Sequence, residues 1–127
     1  MSQAPGLSVS DRTRVLTDAL VEAARRLALK AGDLKDIIGT SQPTVSRLMH
    51  GRYALSEVGK TWELGAHLVR LYRSLSSSMV GGDDALARVW LSSANRDFDG
   101  RAPLEVIKRV DGLIHVCEYL DAYRTRV

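Results

Sequence analysis

The stretch Gly39-Thr40-Ser41-Gln42-Pro43-Thr44-Val45-Ser46-Arg47-Leu48-Met49-His50-Gly51 leaves this chain little choice of fold. Gly39 permits the positive φ of a sharp turn, and Ser41 can accept from an orphan N–H as a helix cap. Pro43 falls in a first helical turn, where a missing N–H costs little, and Gly51 stops the segment. A helix bounded this tightly is too short to persist in water, so neighbouring helices must hold it. Val45 and Leu48 share the face that such neighbours would cover. Gln42, Ser46 and Arg47 lie on the opposite face, with Thr44 nearby.

The flanking residues supply those neighbours. Val15, Leu16, Ala19, Leu20, Ala23 and Leu27 recur at three- and four-residue steps, which predicts an amphipathic helix capped by Ser10 and ending near Leu29. Residues 31–38 predict a short helix that buries Leu34, Ile37 and Ile38. Further on, Ser56 is the expected cap of a long helix through about Ser76, with Leu64, Leu68, Leu71, Tyr72 and Leu75 on one face. Residues 76–82 read as a loop and residues 83–91 as a compact helix with two N-terminal acids. Residues 92–102 are turn-rich, and Pro103 opens another helix. Asp111-Gly112 is expected to break it before a last helix, about 113–124, that turns Leu113, Val116, Cys117 and Leu120 inward. No strand-like alternation of useful length occurs, so the expected fold is all-α. Its expected parts are a flexible tail (1–9), a helix-turn-helix unit (10–54) and a second helical domain (55–127).

At 127 residues the chain can bury a core without disulfides. Its one cysteine, Cys117, lies in an apolar-periodic run and reads as a buried thiol. No apolar stretch approaches membrane-spanning length and no cationic start precedes an apolar run, so the expected location is the cytoplasm, with no membrane partner. His67 and His115 lie in helical runs without ligand-spaced carboxylates, and Asn95, Asp97 and Asp99 match no metal pattern. No enzyme, cofactor or metal is therefore expected.

The net charge of +3 is unevenly placed. Arg12, Arg14, Arg25, Arg26, Lys30, Lys35, Arg47 and Arg52 face only Asp11, Asp18, Glu22, Asp33 and Asp36 in residues 11–52, whereas residues 53–127 are balanced. The excess sits where a nucleic-acid footprint would need it. A helix in the major groove reads bases from its N-terminal half, where Gln pairs well with adenine and Arg with guanine. Ser41, Gln42, Thr44, Ser46 and Arg47 are accordingly the candidate DNA contacts. An ordinary helical hairpin with a polar outer face is the competing reading of the same residues.

With its turn, cap and closing glycine, this segment resembles the Xre/Cro-type repressors. Two positions depart from their pattern: Lys30 stands where a Ser or Thr cap is common, and Gly32 where Ala is usual. Both should loosen the preceding helix. In the second half, an ordered set resembles the toxin-binding domain of the MbcA/ParS/Xre antitoxins. It comprises Leu71-Tyr72-Arg73-Ser74-Leu75, Val80-Gly81-Gly82-Asp83, Ala87-Arg88-Val89-Trp90-Leu91, Asn95, Gly100-Arg101, Pro103-Leu104, Gly112-Leu113 and Tyr119-Leu120-Asp121-Ala122. The resemblance implies the antitoxin of a bacterial type II toxin–antitoxin system. Its partners would be a toxin, usually a RES-domain protein that consumes NAD⁺ or else a related ADP-ribosyltransferase-like protein, and the operator of its own operon, bound as a homodimer. A plain dimeric repressor, whose second half serves dimerisation or effector binding, is the alternative.

Within that half, Gly100 and Pro103 are expected to hold Arg101 on a rigid turn. Arg101 then has two open roles: bidentate contacts to a partner's carboxylates, or an ion pair with Asp97 or Asp99. Trp90 and Leu91 read as core. The basic end that contains Arg124 and Arg126 would complement a pocket built for an anionic dinucleotide, or it is simply a frayed terminus. Arg101, Arg124 and Arg126 are the candidate toxin contacts.

Overall fold

The computed structural model describes residues 9–56 and 59–125. The expected tail through residue 8, Glu57 and Arg126 lie outside the described residues. Among those described, the helices are α1 (Val9–Arg26), α2 (Ala31–Ile38), α3 (Gln42–Met49), α4 (Lys60–Ser78), α5 (Asp84–Ser92), α6 (Pro103–Val106) and α7 (Val110–Thr125). A short 3-10 helix, Arg96–Phe98, precedes α6. The only extended pairing among these residues is the isolated bridge between Asn95 and Arg101, so the fold is all-α. No described helix is long and apolar enough to cross a membrane.

α4 is the spine. It packs against α1 and α2 on one side and α7 on the other, with α5 along its end. Leu64, Leu68, Leu71 and Leu75 supply its buried stripe. One apolar cluster therefore runs from Leu20, Leu34 and Val45 through α4 to Leu113, Val116 and Leu120, without a gap between the two halves. Polar seams reinforce the join. Arg26 Nη1 lies 3.0 Å from Asp84 Oδ2, Arg88 Nε donates to the Arg26 carbonyl at 2.8 Å, and Lys108 Nζ lies 3.1 Å from Asp33 Oδ1.

Three boundaries differ from the sequence expectation. α1 already contains Ser10, so this residue is not its cap, and α1 ends at Arg26 because Ala28 turns to φ 54°. α4 starts at Lys60 after Gly59, not after Ser56. Leu55 is instead drawn into the core, 1% exposed, and its N–H donates to the buried Thr17 hydroxyl at 3.0 Å. Residues 52–56 take no regular secondary structure. Finally, Gly112 does not break a helix. The break falls at residues 107–109 and α7 runs through Gly112. A Cβ at Gly112 would stand 1.9 Å from the Val106 carbonyl oxygen, so glycine is there to let α7 pass against the end of α6.

The suspected weakness of α2 is partly offset. Lys30 does occupy its cap position, and a lysine side chain has no acceptor for the free N–H groups. Asp33 supplies the other half of a capping box, accepting the Lys30 N–H at 3.4 Å. Gly39 then ends α2 in the left-handed region, φ 66°, and its N–H returns to the Lys35 carbonyl.

Candidate functional site

The α2–turn–α3 unit presents one polar face. Val45 and Leu48 are fully buried, and α3 packs against α1 and α2. Ser41, Gln42, Ser46 and Arg47 are exposed and Thr44 is half-buried. Ser41 is the cap: its Oγ accepts the Thr44 N–H at 3.2 Å, satisfying an orphan donor of the first turn. The same hydroxyl lies 2.9 Å from Thr44 Oγ1, and Arg47 Nη2 donates to Thr44 Oγ1 at 3.2 Å. Gln42 and Ser46 make no side-chain bond among the described residues. The five side chains thus share one surface, as the spacing predicts.

Residues that the sequence did not single out hold this surface in place. Arg25 on α1 donates to the Met49 carbonyl at 2.8 Å, satisfying an orphan acceptor at the C-terminal end of α3. Between α1 and the segment after α3 lies a groove lined by Arg14, Asp18, Glu22 and Arg25 from α1 and by His50, Arg52 and Tyr53 from the segment after α3. Arg25 was legible only as a surface charge, because its partner is 24 residues away.

In the second half, the turn that carries Arg101 is closed by its own backbone. The Asn95 N–H donates to the Arg101 carbonyl at 3.2 Å, the Gly100 N–H to the Asn95 carbonyl at 2.9 Å, and the Arg101 N–H to the Phe98 carbonyl at 3.1 Å. Asn95 Oδ1 accepts the Asp97 N–H at 2.9 Å, while Asp99 and Gly100 take left-handed backbone, φ 58° and 81°. Phe98, 5% exposed, plugs this clasp into the core. It stands edge-on to Trp90, His115 and Tyr119 at centroid distances of 6.2, 5.7 and 5.0 Å. It is the only phenylalanine in the chain and sits among turn residues, which was the available signal.

Arg101 itself is exposed. Its guanidinium makes no hydrogen bond or ion pair among the described residues. The ion pair with Asp97 or Asp99 does not form. The Tyr119 hydroxyl donates to Asp97 Oδ2 at 2.6 Å instead, and the clasp turns the Arg101 side chain outward. Arg124 is exposed in the last turn of α7. Leu91 is buried as expected, whereas Trp90 is half-buried, stacked on Tyr119 at 6.4 Å. His115 is exposed. Cys117 is fully buried, donates to the His67 carbonyl at 3.3 Å, and burial pushes its thiol pKa up to about 11. That disfavours the thiolate a nucleophile needs. No group of three or more His, Cys, Asp or Glu side chains among the described residues is placed to hold a metal.

Comparison with known proteins gives a family for each half of the chain. Residues 7–70 match the antitoxin Xre-like helix-turn-helix domain, and residues 77–126 match the antitoxin Xre/MbcA/ParS C-terminal toxin-binding domain. No curated protein matches the chain. The polar face of α3 lies in the first region and the Arg101 clasp in the second. With an antitoxin helix-turn-helix domain in its first half and an antitoxin toxin-binding domain in its second, the chain belongs to the Xre/MbcA/ParS family of antitoxins.

Proposed function

We propose that this antitoxin neutralises a RES-domain, NAD⁺-consuming toxin of a type II system and represses its own operon as a homodimer. The observation that carries the neutralisation half is the Arg101 clasp. A guanidinium with no partner among the described residues stands on a turn closed by three backbone hydrogen bonds. Fixing the backbone that carries this side chain before binding reduces the freedom lost on contact with a carboxylate. Arg124 adds positive charge at the end of α7, which complements a toxin pocket for an anionic dinucleotide. Arg126 extends the same basic run.

The repression half rests on Ser41, Gln42, Thr44, Ser46 and Arg47. One such unit covers a half-site, so two copies are needed for an operator. The place of action is the cytoplasm, where the operator lies.

The deciding experiment is co-expression with the neighbouring gene while following growth and cellular NAD⁺. A toxic, NAD⁺-depleting neighbour rescued by this chain supports the reading. A harmless neighbour leaves a plain dimeric repressor. Arg101→Ala should weaken rescue, and truncation of residues 124–127 should do the same, with operator binding unchanged in both. Full rescue by the truncated chain would remove the basic end from the mechanism. Replacing Gln42 and Arg47 together by Ala should abolish specific operator binding at moderate salt while the fold is kept. Retained specific binding would assign the reading to another helix.

A further inference from the structure

Ser41, Thr44 and Arg47 do more than share a face. At a spacing of three they form one row along α3, and they are linked: Ser41 Oγ to Thr44 Oγ1 at 2.9 Å, and Arg47 Nη2 to Thr44 Oγ1 at 3.2 Å. We propose that Thr44 is a positioning residue that fixes Arg47 to read a guanine in each operator half-site. This rests on the assignment of α3 as the DNA-reading helix and adds to it a base identity and a residue that acts through another.

The hydrogen-bond polarity carries the argument. Ser41 Oγ already accepts the Thr44 N–H, and Thr44 Oγ1 accepts from Arg47. One hydroxyl proton lies between the two oxygens. Whichever oxygen owns it, the other hydroxyl must point its proton outward, and at most one lone pair of the two oxygens stays open. Arg47 brings only donors. The trio therefore presents an almost purely donating surface. In the major groove guanine offers two acceptors, N7 and O6, whereas adenine pairs an acceptor with a donor and cytosine offers a donor. Guanine is the base that fits. Using one Nη2 hydrogen on Thr44 leaves the guanidinium fork available for N7 and O6, and restricts its rotamers before DNA arrives. A phosphate is also acceptor-only, but a phosphate contact carries no sequence information, and this separates the two by experiment.

The test selects binding sites for the full-length chain from a random duplex library, using wild type, T44V, T44S and R47A. Val matches the shape of Thr and keeps the backbone N–H that Ser41 accepts, so only the hydroxyl is lost; a thermal melt confirms that the fold is kept. The wild-type motif should contain, in each half-site, a guanine preferred about tenfold or more over the other bases. R47A should lose it. T44V should lower that preference to about threefold or less, a larger change than at any other position of the motif, and T44S should restore it. As a measurement independent of the variants, replacing that guanine by 7-deazaguanine should weaken wild-type binding about tenfold. The proposal is overturned if T44V keeps the guanine preference, if it weakens every position equally as a phosphate contact would, or if 7-deazaguanine has no effect. Failure of the wild-type chain to enrich any motif would overturn the DNA reading of α3 itself, and the proposal with it.

Discussion

Gly112 and Thr17 show how single residues set what this chain tolerates. Gly112 has the Val106 carbonyl where a Cβ would go, at 1.9 Å, and backbone cannot swing aside as a side chain can. Gly112→Ala should therefore destabilise the protein by about 1–3 kcal/mol or more, although alanine favours helix. Urea unfolding would measure this, and a neutral or stabilising result would contradict the close approach. Thr17 accepts the N–H of buried Leu55. Thr17→Val keeps the shape and orphans that donor, at a cost of about 1–3 kcal/mol, whereas Thr17→Ser should cost less. Neither role was legible from sequence. Gly112 beside Asp111 has the local signature of a helix stop, and only the fold shows that residue 106 occupies the space. The pairing Asn95–Arg101 and the Tyr119–Asp97 bond are likewise non-local, so the sequence left the role of Arg101 open.

The elements themselves were far more legible. α2 and α3 follow the expected bounds because turn, cap and 3.6-residue period are local properties. The resemblance motif was legible as an ordered set, yet much of it is scaffold: Leu71, Leu75, Ala87, Leu91, Leu113 and Leu120 are core, and Asn95 caps the 3-10 helix. The clasp gives a prediction at this scale. Phe98→Ala removes its plug and should cost about 3–5 kcal/mol, and it should weaken toxin binding beyond what that loss of stability explains. Titration calorimetry with purified toxin, at a temperature where the variant is still folded, separates the two effects. The α4–α7 pair predicts a pH dependence. The Ser74 hydroxyl first, and then the Arg70 guanidinium, hold the Asp121 carboxyl below its ordinary range. A carboxyl depressed in the folded state contributes stability above about pH 4, and that contribution is lost as pH falls through the folded value. Thermal midpoints of wild type should thus fall faster than those of Asp121→Asn between about pH 5 and about pH 2. Parallel curves would show that the pair does not shape the acid limb.

At the scale of the whole molecule, α4 joins the two functional regions into one packed body. Leu68 is fully buried in its stripe. Leu68→Ala should cost about 2–5 kcal/mol and should shift a single unfolding transition rather than split it in two. The tryptophans can report this separately, since Trp62 lies at the start of α4 and Trp90 on α5. Within each single-tryptophan variant, with the other replaced by Phe, tryptophan fluorescence and far-ultraviolet circular dichroism should melt at the same midpoint. Two midpoints would mean that the halves unfold independently.

A shared core also bears on how the protein is removed. If the two regions unfold together, as their shared core predicts, a protease that waits for an opened chain meets both in the same event. Turnover then cannot strip away DNA binding while sparing the toxin-binding domain, or the reverse. The lifetimes of the two activities are locked together, and a cell that begins to degrade this antitoxin loses its hold on the DNA and on the toxin at once.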